Sequence, residues 1–524
     1  MKKRNLITDA LLTALLAANL SPTAAAEDAS DIILISPNPH AKQTETNHAD
    51  LNVPEFMQTQ YESMAGMYAF DGVASRLYDL GMLLGDGTDF NLSEIPDRQQ
   101  ACVMVVRMRG EEAAAKAAYA AGETTCPFTD VTDEWAKPYL AWLYENGIVL
   151  GIGEGKFGNT PCSAKEYVTF MLRALGYTVA WDPNSGDWPD VFYADVLDFA
   201  QDIHVWDDRL DAEPTFNRGV MAAVTYQVLA ADVKNTEERL LSTLAQSGAV
   251  GAEKAEPILA LYDRVDAAAE LESSAIASMV DGLKLAAQMT QGTTQFYSVI
   301  GSGEDDGTDT MYTGMTFDIG LDCTDDKQQI ALTGEMTGSI SGFELSLPLG
   351  MWVADGMAYV DVYGEKIKMN LADTAEMASL ASAFGDLSML ISDTGYQYYT
   401  ITDVQIEELE RTGENGLSGT VVVYDASDFM WPVIASLLEA NGFSAGAVLT
   451  AASTTEKYID ENGVLSGVYN GMYAKLTETN ATGVTIMEET LSETVIEYSA
   501  WGEDVTLTFP DFSQFAEAPT DTQS

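Results

Sequence analysis

The chain has 524 residues, with 81 Asp and Glu against 26 Lys and Arg, giving a formal net charge of −55. That balance repels nucleic acid and anionic membranes, and no nucleic-acid partner is expected; it fits a solvated surface suited to exported proteins, or ion-bridged binding through carboxylates. Three histidines (His40, His48, His204) and four cysteines at no zinc spacing (Cys102, Cys126, Cys162, Cys323) leave almost nothing for a His-based triad or a metal centre, so no cofactor or metal is expected.

Residues 1–26 read as a secretory signal peptide: Lys2, Lys3 and Arg4 precede ALLTALLAANL, and Ala24 to Ala26 offer a small-residue cleavage site. Residues 27–55, rich in Ser, Pro, Asn, Thr and Asp, read as a flexible leader. No later stretch approaches 18 consecutive apolar residues, so no transmembrane span is expected.

From 56 to 232 the sequence repeats itself. YLAWLYENGIVLGIGEGKF (139–157) lies over VASRLYDLGMLLGDGTDF (73–90) with one gap, placing Leu143, Tyr144, Gly147, Gly151, Gly153 and Phe157 on Leu77, Tyr78, Gly81, Gly85, Gly87 and Phe90. After each comes a capped amphipathic helix, DRQQACVMVVRMRG or SAKEYVTFMLRALG. A third, weaker copy starts at WPDV (188–191), under FTDV (128–131), and reaches NRGVMAAVTYQVL. Three helix-loop-helix units result, at about 56–110, 126–177 and 187–232. GEGKFG (153–158) also fits Gly-x-Gly-x-x-Gly, but a helix leads in where a nucleotide fingerprint needs a strand, so it is read as a loop between helices.

These repeats resemble the S-layer homology domain, most clearly in Phe128, Asp130, Val131, Trp135, Ala136, Gly147, Ile148, Gly151 and Phe157. The resemblance implies an all-α, three-lobed pseudo-trimer that binds secondary cell wall polymer, an anionic glycan, without a covalent bond. The family's Thr-Arg-Ala-Glu helix start becomes Asp97-Arg98-Gln99-Gln100, Ser163-Ala164-Lys165-Glu166 and Asn217-Arg218-Gly219-Val220. A capped helix start beside a guanidinium suits a carboxylate. Arg98, Arg218, Glu166, Lys165, Asp130 and Trp135 are therefore the polymer-binding candidates. For the arginines the alternative is a solvated helix-start charge; for Asp130 and Trp135 it is local packing and capping. Ala164 puts the middle site in doubt. A Cys126–Cys162 bridge stays open as well.

Residues 233–291 read as a helical connector. From Gly292 the apolar period changes to two, as in Ile330, Leu332 and Met336, giving antiparallel strands interrupted by helices at 374–391 and 427–440. The pattern of residues 292–518 argues for an α+β domain with helices in the curve of one large sheet, followed by a tail at 519–524. It resembles the LolA/LppX-type half-barrel lipoprotein-like domains, which implies an apolar cavity and a lipid or other apolar ligand. Trp352, Tyr359, Tyr398 and Trp431 are its candidate lining; the alternative is an ordinary core. EDDGTD (304–309) resembles no complete calcium loop and reads as a solvated turn.

The expected whole is multidomain: a bacterial cell-surface protein, implied by the resemblance to be of the Gram-positive type, held to the wall by its repeats, displaying a half-barrel wrapped on helices for ligand binding or interaction, and not an enzyme. The rivals are a carboxylate-dependent wall-glycan hydrolase and a purely structural surface-layer component.

Overall fold

The computed structural model describes residues 70–87, 89–180, 189–207, 209–210, 215–277, 284–300, 308–322, 329–340, 343–370, 396–410, 417–426, 448–479 and 485–517. The signal peptide, the leader, the helices expected at 374–391 and 427–440, most of EDDGTD, Trp431, Cys323 and the tail lie outside the described residues. The chain forms two compact units: one of residues 67–266 with 396–402, the other containing 267–395 and 403–524.

The first unit is helical. Its elements are α1 (Asp71–Asp79), α2 (Arg98–Met108), α3 (Glu112–Ala121), α4 (Lys137–Glu145), α5 (Ala164–Ala174), α6 (Val196–Asp202), α7 (Arg218–Ala230), α8 (Leu240–Gln246) and the start of α9 (Ala252–Ala277), with a short parallel ladder of β1 (Val179–Ala180) and β2 (Val191–Phe192). One local device occurs three times. Beyond α1, α4 and α6 the chain turns at a left-handed residue, Gly81 (φ 81°), Gly147 (φ 70°) or His204 (φ 59°). The next two N–H groups then return to a single carbonyl. Met82 and Leu83 donate to Leu77 O, Ile148 and Val149 to Leu143 O, and Val205 and Trp206 to Ala200 O. These bonds satisfy carbonyls that a helix end would otherwise leave open. A long helix follows each turn. Asp97 Oδ1 accepts from Gln100 N (2.7 Å), Ser163 Oγ from Glu166 N (3.3 Å) and Asn217 Oδ1 from Val220 N (2.9 Å). Gln100 and Glu166 reach back to complete capping boxes, whereas Val220 cannot.

The second unit is a large antiparallel sheet. Its strands are β3 (Lys284–Ile300), β4 (Thr308–Asp322), β5 (Gln329–Ile340), β6 (Phe343–Ala354), β7 (Met357–Val362), β8 (Glu365–Asn370), β9 (Asp403–Glu410), β10 (Ser418–Asp425), β11 (Val448–Ile459), β12 (Leu465–Thr479), β13 (Thr485–Trp501) and β14 (Ala516–Glu517). Among the described residues they run in the order β14-β8-β7-β6-β5-β4-β3-β13-β12-β11-β10-β9, antiparallel except for β14 along β8. β3 therefore sits mid-sheet: the chain meanders outward to β8, restarts at the far edge with β9 and returns to pair β13 with β3. β3 starts at Lys284, ahead of the period change read at Gly292, because Leu285, Ala287 and Met289 already alternate into the core.

The two faces of the sheet bury different clusters. Register aligns Val468, Ile496, Met289 and Phe317 across four strands on one face, where Leu285, Ile319, Met351, Val353 and Val360 complete the main core. The end of α9 packs nearby: Leu271 and Ala275 touch the Ile459, Leu465 and Val468 cluster. Glu272, 1% exposed, there receives Lys457 Nζ at 2.8 Å. Such a pair fixes position more than it adds stability, since both charges give up hydration. The opposite face carries Trp352 and Ala331, covered by Phe515 with Leu507, Phe509 and Phe512.

Candidate functional site: the seams between repeats

The starts of α2, α5 and α7 are each tied to the loop of another repeat. At the first seam Arg98 N donates to Thr160 O (3.0 Å), Cys162 N to Pro96 O (2.8 Å) and Gln99 N to Asn159 Oδ1 (3.2 Å). At another, Arg218 N donates to Glu94 O (2.8 Å) and Gly219 N to Leu92 O (2.9 Å). Thr160 and Glu94 are equivalent, each three residues before its own cap. The remaining seam is marked by Lys165 Nζ donating to Ala194 O at 2.7 Å. The first repeat thus leans on the second, the second on the third and the third on the first.

The side chains expected to meet polymer mostly hold these seams. Arg98 is only 7% exposed. Its Nη1 lies 3.3 Å from Glu166 Oε1 and 3.4 Å from Gly158 O, and its guanidinium stands over the rings of Phe157 (4.9 Å) and Phe170 (5.9 Å). The solvated-charge reading does not describe it: the neighbouring loop and two aromatic rings close over it. Arg218 is half-buried, with Nε donating to Phe90 O at 3.0 Å, and burial lowers its pKa. Glu166 is committed three ways, accepting from Ser163 N and Oγ besides pairing with Arg98.

Asp130 closes its own repeat's loop, accepting from Phe157 N (2.8 Å) and Gly158 N (2.9 Å). Burial pushes its carboxyl up, but these backbone donors outweigh it and hold the group below its ordinary range. They also account for GEGKFG. Phe157 and Gly158 donate to Asp130, and Lys156 N to Gly153 O, so those N–H groups are already used within the loop. Trp135 is 50% exposed and stands at the surface. Cys102, Cys126 and Cys162 are free thiols, so the bridge left open between Cys126 and Cys162 is not formed; burial pushes the Cys162 thiol up to about 12.

Sequence reading missed a surface that the repeats share. Tyr78 and Tyr144 are both exposed, as are Leu84 and Leu150, and each pair occupies one repeat position. The alignment already superposes the tyrosines, but Tyr144 stands four residues after Leu140, on the apolar side by helical spacing, so the pattern alone does not announce its exposure.

Of the aromatics proposed to line a cavity, Trp431 lies outside the described residues, and the other three do not all belong to one unit. Trp352 and Tyr359 are cross-strand neighbours on the face opposite the main core, with Phe512 stacked on Tyr359 at 3.6 Å. Tyr398 belongs to the helical unit. There the segment 396–402 is read largely through its backbone: Gln227 Nε2 donates to Tyr396 O (2.8 Å), Gln227 Oε1 accepts from Tyr399 N (3.2 Å) and Arg76 Nη1 donates to Ile401 O (3.2 Å). Tyr398 OH donates to Asp266 Oδ1 at 2.5 Å, and Tyr396 stacks on His204 at 3.9 Å.

Residues 127–158, the core of the second repeat, match the S-layer homology domain. None of the curated proteins matches the chain. Among solved structures, LprF from Mycobacterium bovis is similar at 11% identity, covering 46% of this chain and 96% of that one with a TM-score of 0.22. Among the described residues no helix is long and apolar enough to cross a membrane.

Proposed function

We propose that the helical unit is a pseudo-threefold anchor that holds an exported protein to a cell-wall polysaccharide, the secondary cell wall polymer of a Gram-positive-type surface. The sheet unit is then a half-barrel wrapped on helices, displayed for non-catalytic binding of an apolar ligand or a protein. The match of residues 127–158 to the S-layer homology domain carries the anchoring role. The cyclic order of the seams and the thrice-repeated turn support the threefold arrangement. With Arg98 and Glu166 engaged in a seam, polymer contact falls to the exposed aromatic side chains Tyr78, Tyr144 and Trp135. Aromatic faces take the C–H side of sugars and work without net charge, which suits a protein as acidic as this one.

The test is sedimentation of the full chain with purified walls. The Tyr78→Ala/Tyr144→Ala variant is expected to bind at least tenfold more weakly with an unchanged melting curve; equal binding removes the tyrosines from the contact, and a wild type that stays in solution overturns anchoring. Release of wall fragments by the purified protein, read by mass spectrometry, would restore the hydrolase reading.

A further inference from the structure

Residues 505–517 lie along the sheet face opposite the main core and are held there lightly. Leu507 packs over Gly320, where a β-carbon would stand 3.3 Å from its Cγ. Phe512 stacks on Tyr359 at 3.6 Å, and Phe515 meets Trp352 edge-on at 6.0 Å. At the sheet edge Lys366 Nζ donates to Gln514 Oε1 (3.0 Å), Lys368 pairs with Glu517 (3.1 Å), and β14 adds its two residues along β8. The other backbone bonds of this tail close on its own loop: Val505 N to Gly502 O, Gln514 N to Asp511 O and Phe515 N to Phe512 O. Of residues 505–517 only Val505 and Phe515 are buried. A segment with so little buried surface and so short a ladder opens at low cost.

The tail also fits incompletely. Trp352 is 7% exposed, yet its Nε1–H has no acceptor among the described residues. A buried donor left unpaired is a penalty that the closed arrangement carries. The surface beneath the tail has a distinct chemistry. Its floor is aromatic, with Trp352 and Tyr359 opposite each other across β6 and β7. Its rim is cationic: Lys366 and Lys368 share this face of β8, with Asp361 at 3.8 Å from Lys366, in a chain whose net charge is −55.

We propose that this face recognises an extended segment of a partner protein, one with two aromatic residues three apart and a carboxylate two residues beyond the second, and that Phe512, Phe515 and Glu517 are a displaceable stand-in for it. The proposal rests on the reading of the sheet unit as a displayed binding module. The aromatic floor takes the two rings, the lysines take the carboxylate, and the backbone adds to the β8 edge as β14 does. A partner that brings a carbonyl to Trp352 Nε1 makes a bond that the tail does not. Because the tail competes within the same molecule, a partner's apparent affinity is reduced by the fraction of time that the face stands open, which makes the tail an autoinhibitory strap.

The probe is a fluorescein-labelled peptide with the sequence of residues 508–517, TFPDFSQFAE, followed by anisotropy against the full chain. Wild type is expected to bind it weakly but to saturation. Phe512→Ser/Phe515→Ser, which loosens the strap, should bind it at least tenfold more tightly. Phe512→Ser alone, at a half-buried position, answers the same question if the double variant fails to fold. Adding Tyr359→Ala to either should weaken binding at least tenfold, and adding Lys366→Glu/Lys368→Glu at least threefold. A peptide with alanine in place of its last two phenylalanines should not bind. A wild type that takes up no probe, loosened variants no tighter than wild type, or equal binding of the alanine peptide overturns the site. Cis-parinaric acid, a fluorescent fatty acid, is offered to the same samples to separate the two readings: its uptake without a peptide response removes only this face, and no response to either removes ligand binding by the sheet unit as well.

Discussion

Arg98 and Glu166, on consecutive repeats, form an ion pair at 3.3 Å that leaves the arginine almost wholly buried against Phe157 and Phe170. Arg98→Ala strands Glu166 and opens space between the two rings, so it should lower the unfolding free energy of the helical unit by about 3 kcal/mol. Arg98→Lys keeps the charge without the planar fork and should fall between. Urea unfolding followed by circular dichroism measures both, and a loss below about 0.5 kcal/mol, the range of ordinary surface substitutions, would mean the seam is held by its backbone bonds alone.

Glu112 gives the helical unit an acid-sensitive joint. Burial raises its carboxyl, but hydrogen bonds from Arg107, Lys116 and Tyr139 outweigh this and bring it from 4.5 to about 2. A depressed carboxyl stabilises the fold above its unfolded pKa, and that contribution drains away as pH falls from 4.5 through 2. Glu112→Gln should therefore melt closer to wild type at pH 2.5 than at pH 6 (about two units either side of the ordinary carboxylate range). Equal differences at both values would show that the joint carries no linked proton.

Gln227 binds the segment 396–402 to the helical unit by donating to Tyr396 O and accepting from Tyr399 N, while also donating to His204 O. Gln227→Leu keeps the volume and removes all three bonds, a loss of about 3 kcal/mol at roughly 1 kcal/mol each. Chymotrypsin should then cut at Tyr398 and Tyr399 under conditions where the wild type resists. Continued resistance would assign the docking to the ring contacts of Tyr262 and Phe70.

Two glycines of the sheet should tolerate alanine differently. A β-carbon at Gly350 would overlap the Trp352 ring, which can swing aside, whereas at Gly334 it would meet the backbone carbonyl of Thr316. Gly350→Ala should cost about 1–3 kcal/mol and Gly334→Ala more. Thermal unfolding of the full chain gives the order, and the reverse order would show that the Trp352 ring is the more rigid neighbour.

The helical repeats were legible because their signals are local. Glycines at helix ends, capping boxes and an apolar stripe at helical spacing each act over a few residues, and residues 127–158 match the domain they pointed to. Alternation likewise announced the strands, and a large antiparallel sheet fills the C-terminal half. What stayed hidden depends on long-range register. Nothing near Arg98 in sequence says that Glu166 will reach it, and nothing beside Tyr398 says that its hydroxyl meets Asp266. Trp352 was a candidate for a cavity lining, but period two does not say which face of a strand the core occupies. His204 hid the third turn because a non-glycine residue holds the left-handed position there.

The docking of 396–402 also sets a clock. Ribosomes deliver a chain from its N terminus, and the helical unit draws its last segment from beyond β8, after six strands of the sheet have been made. Until Tyr396–Thr402 arrives, the ring of Phe70 and the amide of Gln227 wait without the partners they finally hold. Completion of the helical unit is therefore late in the life of the nascent chain, and a holding factor would have the whole synthesis of β3 through β8 in which to bind it.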